Sequence, residues 1–136
     1  LHPVAHSFPT RRSSDLMSID EYTENYRRRL ERRKQAIIKE NQQRQAVIEK
    51  IKDCLRSSQI KATYYLFGST AEGKAKPGSD IDIAADGITA KEYFILLNLL
   101  TEAIEDYFID LRDITNKDSF FARRVREHGI KLNLNF

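Results

Sequence analysis

The chain has 136 residues and a mass of 15.8 kDa, with 40% hydrophobic residues, 32% charged residues and a formal net charge of +3. This length predicts a single core and excludes a large multidomain enzyme. The longest apolar cluster, Tyr93 to Leu100, is broken by Asn98 and is shorter than the roughly 20 residues needed to cross a bilayer. Cys54 is the single cysteine, which excludes an internal disulfide and a cysteine-built zinc site. We therefore expect a cytoplasmic protein without a membrane span.

Residues 1–16 differ from the rest of the chain, since they contain two of the three histidines and two of the three prolines. The stretch from His6 to Leu16 resembles the conceptual translation of a short-read sequencing adapter joined in frame. We expect residues 1–16 to be a non-native, disordered segment, with a natural disordered tail as the alternative. The native chain would then begin at Met17.

Residues 17–60 form the first predicted structural region, an N-terminal helical arm. Glycine and proline are absent from Met17 to Phe67, and the segment is rich in Arg, Lys, Glu and Gln, which favours one long helix or two. Apolar residues recur near a seven-residue period, but Arg33, Glu40 and Arg44 interrupt that seam. The arm could therefore pack on another chain.

Residues 61–136 form the second predicted region, where the helical period gives way to strands. The pattern predicts strands at 62–67, 80–84, 108–114 and 130–134, with a loop holding one helical turn at 68–79. Thr89 and Glu92 match a capping box, which predicts a helix from about Ala90 to Tyr107. Its apolar residues fit one face; they are Phe94, Leu97, Leu100, Ile104 and Phe108. A short helix at 116–128 should end at Gly129. The predicted fold class is α/β, a small mixed sheet with helices and a long N-terminal helical extension.

The most informative motif is Gly68-Ser69, followed after ten residues by Asp80-Ile81-Asp82. Glycine after a strand lets the backbone approach a phosphate, and Ser69 offers a hydroxyl at the start of a helical turn. Two carboxylates at i and i+2 of a strand share one face, where their repulsion favours a bound cation. Oxygen ligands of this kind suit Mg²⁺ or Mn²⁺. The motif thus predicts a site for a nucleotide and a metal.

These residues resemble the signature of the DNA polymerase β-like nucleotidyltransferases, and most closely the minimal nucleotidyltransferases, the MntA-like antitoxins. The likeness runs from Ala62 to about Leu134. It implies that Gly68 and Ser69 bind the phosphates of ATP. It also implies that Asp80, Asp82 and Asp110 are catalytic and bind the metals, with Asp110 helping to deprotonate the attacking hydroxyl.

One departure from the implied pattern and one alternative assignment concern single residues. Members of the family commonly carry arginine where this chain has Glu72. Asp113 is the alternative to Asp110 as the third carboxylate, because one residue of register error would exchange their faces.

The resemblance also implies a biological role. Such proteins transfer AMP to a tyrosine of a HEPN-domain toxin, an RNase, and silence it. The pattern Arg123 to His128 matches the arginine, four residues, histidine spacing of HEPN ribonucleases, but it follows three predicted strands, whereas the HEPN domain is an all-helical bundle. We therefore interpret that match as coincidence and expect the toxin to be a separate chain.

Three other functions remain open at the level of sequence. The first is a non-catalytic antitoxin or scaffold that binds its partner through the N-terminal helices, which could also join copies of this chain into a homo-oligomer. The second is adenylyl transfer to a small molecule such as an aminoglycoside. The third is nucleic-acid binding by the run Arg27 to Lys34, which holds six basic residues in eight but no interleaved aromatic residues.

Overall fold

The computed structural model describes residues 18–136, so the predicted non-native segment at 1–16 lies outside the described residues. The elements in chain order are α1 (Ile19–Ser58), β1 (Thr63–Phe67), α2 (Gly68–Glu72), β2 (Ile81–Asp86), α3 (Ala90–Ala103), β3 (Ile109–Asp113), α4 (Phe120–His128) and β4 (Ile130–Lys131). The N-terminal helical region is a single helix. No helix among residues 18–136 is long and apolar enough to cross a membrane.

The chain divides into two compact units, Leu1–Lys34 and Gln35–Phe136, with the boundary inside α1. The predicted division at residue 60 stays a prediction from the sequence pattern. In the described part of the first unit, α1 begins at Ile19, directly after Ser18, whose hydroxyl accepts a hydrogen bond from the Glu21 N–H at 3.1 Å. The large apolar side chains of residues 18–34 are exposed to solvent; they are Ile19, Tyr22, Tyr26 and Leu30.

The second unit is built on a four-stranded mixed sheet in the order β3-β2-β1-β4. Strand β1 pairs antiparallel with β2 and β4, whereas β2 and β3 run parallel. The predicted mixed α/β class is therefore confirmed. Strand β2 begins at Ile81 rather than at Asp80, so Asp80 is the last residue of the loop before the strand.

The two faces of the sheet carry different side chains, because successive residues of a strand point to opposite sides. On one face Ile81, Ile83 and Ala85 of β2 join the main hydrophobic core, which also includes buried residues of α1 and α3. On the other face Ala84 packs with Ile114 and with two residues of α4, Ala122 and Val125. Asp82 alternates with these core residues and belongs to the face on which α4 packs.

Helix α3 departs from the sequence prediction in length and in phase. The capping box of Thr89 and Glu92 is confirmed, but the helix ends at Ala103, because Ile104 adopts an extended conformation. Phe94 and Phe108 are 67% and 69% exposed, so the predicted apolar face is wrong for these two residues, whereas Leu100 and Ile104 of the same predicted face are buried. Leu96 and Leu100 are the buried residues of the helix, and a four-residue spacing brings them onto one side of it.

The ends of α4 also have identifiable causes. The helix begins at Phe120 rather than near Asn116, because the Ser119 hydroxyl accepts a hydrogen bond from the Ala122 N–H at 3.1 Å. It ends at Gly129 as expected, although that residue is extended rather than left-handed. A Cβ at this glycine would lie 2.5 Å from the Val125 carbonyl oxygen, so close packing requires the glycine.

Cys54 is half-buried against the main core. Burial raises the pKa of its thiol above the ordinary value. The thiol therefore belongs to the packing of α1 against the core.

Candidate active site

The candidate site lies where β1 ends and β2 begins. Phe67, the last residue of β1, is the register partner of Asp82, and Asp82 is in turn the register partner of Asp110 on β3. The three residues form one row across neighbouring strands, about 5 Å apart from strand to strand. The sheet thus brings two of the three predicted carboxylates side by side.

Asp82 has unusual electrostatics. Burial, followed by the negative charges of Asp110 and Asp80, raises the pKa of its carboxyl to about 6, with Arg112 opposing the shift. Ionising this group is costly because solvent is partly excluded and like charges surround it. A cation beside Asp82 would remove that cost.

Asp110 has an ion-pair partner that the sequence did not single out. Its carboxylate accepts a hydrogen bond from the Arg112 guanidinium at 3.2 Å. The guanidinium also stacks on the Phe121 ring of α4, with 5.6 Å between Cζ and the ring centroid. Asp113, the alternative third carboxylate, pairs in register with Ala85 and accepts the Thr115 N–H at 2.9 Å. Asp110 is therefore the carboxylate beside Asp82.

Gly68 meets Asp82 directly. The glycine has φ +70°, a left-handed conformation that side chains disfavour, and a Cβ built there would overlap Oδ2 of Asp82. Both the conformation and the space demand glycine at this position. The phosphate-side glycine and the carboxylate of the predicted motif are thus in contact, although fourteen positions separate them along the chain.

Ser69 and Asp80 occupy the two sides of the loop. Ser69 is in the first turn of α2, and its hydroxyl has no hydrogen-bond partner among residues 18–136. Asp80 is exposed and lies beside the strand that holds Asp82. Its backbone carbonyl accepts a hydrogen bond from the Arg44 guanidinium at 3.4 Å.

The donor set fits a hard divalent cation. Within the described residues no group of three or more acidic, histidine or cysteine side chains is arranged to hold a metal ion. Mg²⁺ is commonly bound by one or two carboxylates together with substrate phosphates and waters. Asp82 and Asp110 supply two carboxylates, and the Asp82 pKa indicates that positive charge would be stabilised there.

Two cavities flank Phe121. One, of about 420 Å³, is lined by residues of α3, β3 and the loop after β3, including Tyr93 and Arg112. The other, of about 320 Å³, includes Gly68 and Glu72 in its lining. Of the predicted site residues, Gly68 alone lines one of these two cavities, and the first cavity reaches the site through Arg112, the partner of Asp110.

Arg44 of α1 is the residue that sequence reasoning most clearly missed. It appeared as an interruption of an apolar seam, yet it is fully buried and contacts both α2 and the loop before β2. Sequence gives no signal for these contacts, because most of its partners are backbone carbonyls.

Comparison with known proteins adds independent support for this arrangement. The family model described as polymerase beta, nucleotidyltransferase matches residues 49–134, about 63% of the chain. The chain belongs to this nucleotidyltransferase family. It therefore carries a transferase domain for nucleotidyl groups. Domains of this kind generally use a nucleoside triphosphate and a divalent metal. No curated protein matches the sequence.

The match places the row of Phe67, Asp82 and Asp110 within the nucleotidyltransferase domain. It begins inside α1, at residue 49, so Arg44 lies outside it. The nucleotidyltransferase domain thus includes every predicted site residue.

Proposed function

We propose that this nucleotidyltransferase transfers AMP from Mg²⁺-ATP to a hydroxyl group, that of a tyrosine on a HEPN-type toxin, and acts as the antitoxin of a toxin-antitoxin pair. The observation that carries the proposal is the contact of Gly68 with Asp82, which itself lies beside Asp110. This contact brings the backbone of Gly68 next to two carboxylates with no side chain of its own between them. The family match supports nucleotidyl transfer, and the minimal nucleotidyltransferase resemblance supports the acceptor.

Each site residue has a proposed role. The backbone of Gly68 and the hydroxyl of Ser69 bind the β- and γ-phosphates, because neither presents a bulky side chain to them. Asp80, Asp82 and Asp110 hold Mg²⁺ or Mn²⁺, with Asp80 turning inward from its exposed position. When bound, the metal neutralises phosphate charge and orients the α-phosphate for in-line attack.

The transfer step balances without any further reactant. A bond forms between the acceptor oxygen and the α-phosphorus, the bond from the α-phosphorus to the bridging oxygen breaks, and pyrophosphate leaves. The Asp110 carboxylate receives the proton of the attacking hydroxyl. Arg112 orients that carboxylate through its 3.2 Å hydrogen bond and keeps positive charge beside it.

The proposed toxin is held in part by residues 19–34 of α1. Tyr22, Tyr26 and Leu30 are 49%, 56% and 40% exposed, at a spacing that brings them onto one side of the helix. Six basic residues from Arg27 to Lys34 surround the end of this stripe. A partner with an apolar patch bordered by acidic residues would complement it.

The test is to incubate the full chain with α-labelled ATP, Mg²⁺ and a co-encoded HEPN protein. We expect label on a partner tyrosine, and its loss in the variant that combines Asp80→Asn with Asp82→Asn. Asp118→Asn is the matched control, because that carboxylate is 91% exposed, pairs with Arg123 and is not among the groups that shift the pKa of Asp82. Label that survives in the double variant would contradict the assigned site.

The main alternative is a scaffold antitoxin that neutralises by binding alone, which the exposed stripe on α1 also favours. Tight ATP-independent binding of the HEPN protein without any label would support this alternative and contradict adenylyl transfer. Label on an aminoglycoside but not on the protein would instead identify a small-molecule acceptor.

A further inference from the structure

Arg44 is a fully buried arginine whose every donor is used. Its Nε–H donates to Glu40 at 2.9 Å, one terminal nitrogen donates to the Thr70 hydroxyl and the Asp80 carbonyl, and the other donates to the carbonyls of Lys76 and Ser79. A guanidinium has five N–H groups, so none is left over. Such saturation is what a buried charge needs if it is to persist in the interior.

The charge of Arg44 is balanced by a defined set of neighbours. Glu40 forms the ion pair from one turn earlier in α1 and also accepts a hydrogen bond from the Tyr107 hydroxyl at 2.9 Å. The Tyr107 ring lies against the guanidinium, with 4.8 Å between Cζ and the ring centroid. Glu40 and Tyr107 therefore hold the guanidinium in place independently of its bonds to the loop.

The acceptors of Arg44 bracket the site motif. Thr70 directly follows Ser69 on the phosphate side, and Ser79 and Asp80 directly precede β2 on the carboxylate side. One rigid planar group therefore spans both ends of the loop that separates Ser69 from Asp80.

Asn41 supports the same loop from one turn earlier in α1. Its side-chain amide donates to the Ala75 carbonyl at 3.0 Å and accepts from the Ala75 N–H at 3.1 Å. The loop between α2 and β2 is thus attached to α1 at two separate places.

We propose that Arg44 is a positioning residue for the nucleotide site: it fixes the distance between Ser69 and the carboxylates of Asp80 and Asp82 by binding both ends of the intervening loop. The proposal rests on the proposed function, since it assigns Arg44 to the site where ATP and the metal would bind. It makes α1 part of the active-site architecture, although Arg44 lies outside the family match. Arg44 itself touches neither phosphate nor metal in this role.

The experiment uses Arg44→Lys in the full chain. Lysine keeps the positive charge beside Glu40 but offers three donors on one nitrogen in place of a five-donor fork, so it cannot reach both ends of the loop. Arg56→Lys is the matched control, because Arg56 lies on the same helix and its guanidinium bonds Asp53 at 2.7 Å and the Leu134 carbonyl at 3.2 Å, not the loop. Thr70→Val is a second variant, which removes a single acceptor with little change in shape and keeps the test open if Arg44→Lys does not fold.

Two readouts are measured on each variant. The first is hydrogen exchange of the amides from 74 to 80 and of α3, which does not depend on activity. The second is the affinity for ATP in the presence of Mg²⁺. For Arg44→Lys we expect at least 10-fold faster exchange in the loop, unchanged exchange in α3, and at least 10-fold weaker binding of Mg²⁺-ATP, with a smaller change of the same kind for Thr70→Val.

The outcomes distinguish the positioning role of Arg44 from the proposed function. Unchanged loop exchange in both variants would overturn the proposal, as would faster exchange with unchanged Mg²⁺-ATP affinity. A loss of affinity equal to that of Arg56→Lys, or uniform acceleration of exchange throughout the protein, would also overturn it, since either would mean a general structural role. If the unchanged protein does not bind Mg²⁺-ATP, the proposed function fails, and the exchange result still decides whether Arg44 holds the loop.

Discussion

Replacing Asp82 by asparagine should stabilise the protein, even though it should abolish the proposed reaction. The carboxyl has a pKa of about 6 instead of 3.8 in the folded chain, because of burial and of the charges of Asp110 and Asp80. That gap corresponds to about 3 kcal/mol of unfavourable free energy when the group is ionised. Asp82 is partly exposed, and solvent screening reduces the figure to about 1–2 kcal/mol. The amide of asparagine carries no charge and can donate to Asp110.

The pH dependence of this gain follows from the direction of the shift. An acid whose folded pKa is raised carries its proton more readily in the folded state, so the destabilisation is absent below about pH 3.8 and complete above about pH 6. We therefore expect the free energy of unfolding of Asp82→Asn to exceed that of the unchanged protein by about 1–2 kcal/mol at pH 7.5, and by roughly half as much at pH 5.

Urea unfolding followed by circular dichroism, in EDTA at both pH values, measures the difference. Asp118→Asn is the control and should change stability by less than about 0.5 kcal/mol, since its carboxylate is almost fully exposed. Added Mg²⁺ should stabilise the unchanged protein and not Asp82→Asn. If Asp82→Asn were as stable as the unchanged protein at pH 7.5, or less stable, the ionised Asp82 carboxylate would not destabilise the fold and this prediction would be refuted.

Gly68→Ala should lower the free energy of unfolding by about 1–3 kcal/mol and displace Asp82, because alanine disfavours φ +70° and its Cβ would overlap Oδ2. Thermal unfolding measures the loss of stability, and titration with Mg²⁺-ATP measures the effect of displacing Asp82. An unchanged affinity for Mg²⁺-ATP would contradict a role of this contact in the site. Thr89→Ala should cost about 1 kcal/mol, or roughly 3–6 °C in Tm, by removing the hydroxyl that accepts the Glu92 N–H, with no effect on ATP affinity. Glu72→Gln should strengthen Mg²⁺-ATP binding in calorimetry by removing a negative charge from the cavity that holds Gly68, and weaker binding would show that Glu72 serves another purpose.

The strand that carries Asp82 was the part of the site best predicted from sequence. Acidic and apolar residues alternate from Asp80 to Ala84, and the period of two fixes which side chains share a face. The structure corrects the start of β2 by one residue, because pairing with β1 begins beyond Asp80. Register with β3 could not be derived from either strand alone, so the choice between Asp110 and Asp113 needed the sheet.

Helix α3 shows where pattern reasoning is weakest. Its N-terminus has a local chemical signal, the reciprocal hydrogen bonds of Thr89 and Glu92, and was predicted correctly. Its buried side was predicted only in part: Leu100 is buried as expected, but the helix is apolar nearly all round, so only contacts with the sheet decide which other residues are covered. Phe94 was therefore assigned to the core and is exposed.

The buried position of Arg44 was beyond sequence analysis for a different reason. Arginine is rarely buried without partners, and here three of its partners are carbonyl groups at positions 76, 79 and 80. Every residue has a carbonyl, so the letters at those positions carry no information about the contact. Such a contact can be read only from coordinates.

The lone cysteine makes the attachment of α1 to the core directly observable. Cys54 is half-buried in that interface and its thiol is less readily ionised than usual, so a thiol-specific reagent should modify it mainly during brief opening events. Because the sequence holds one cysteine, every modified molecule reports the same position without an engineered label. The rates at which Cys54 is modified with and without Mg²⁺-ATP would then show by how much ligand binding suppresses the opening of this interface.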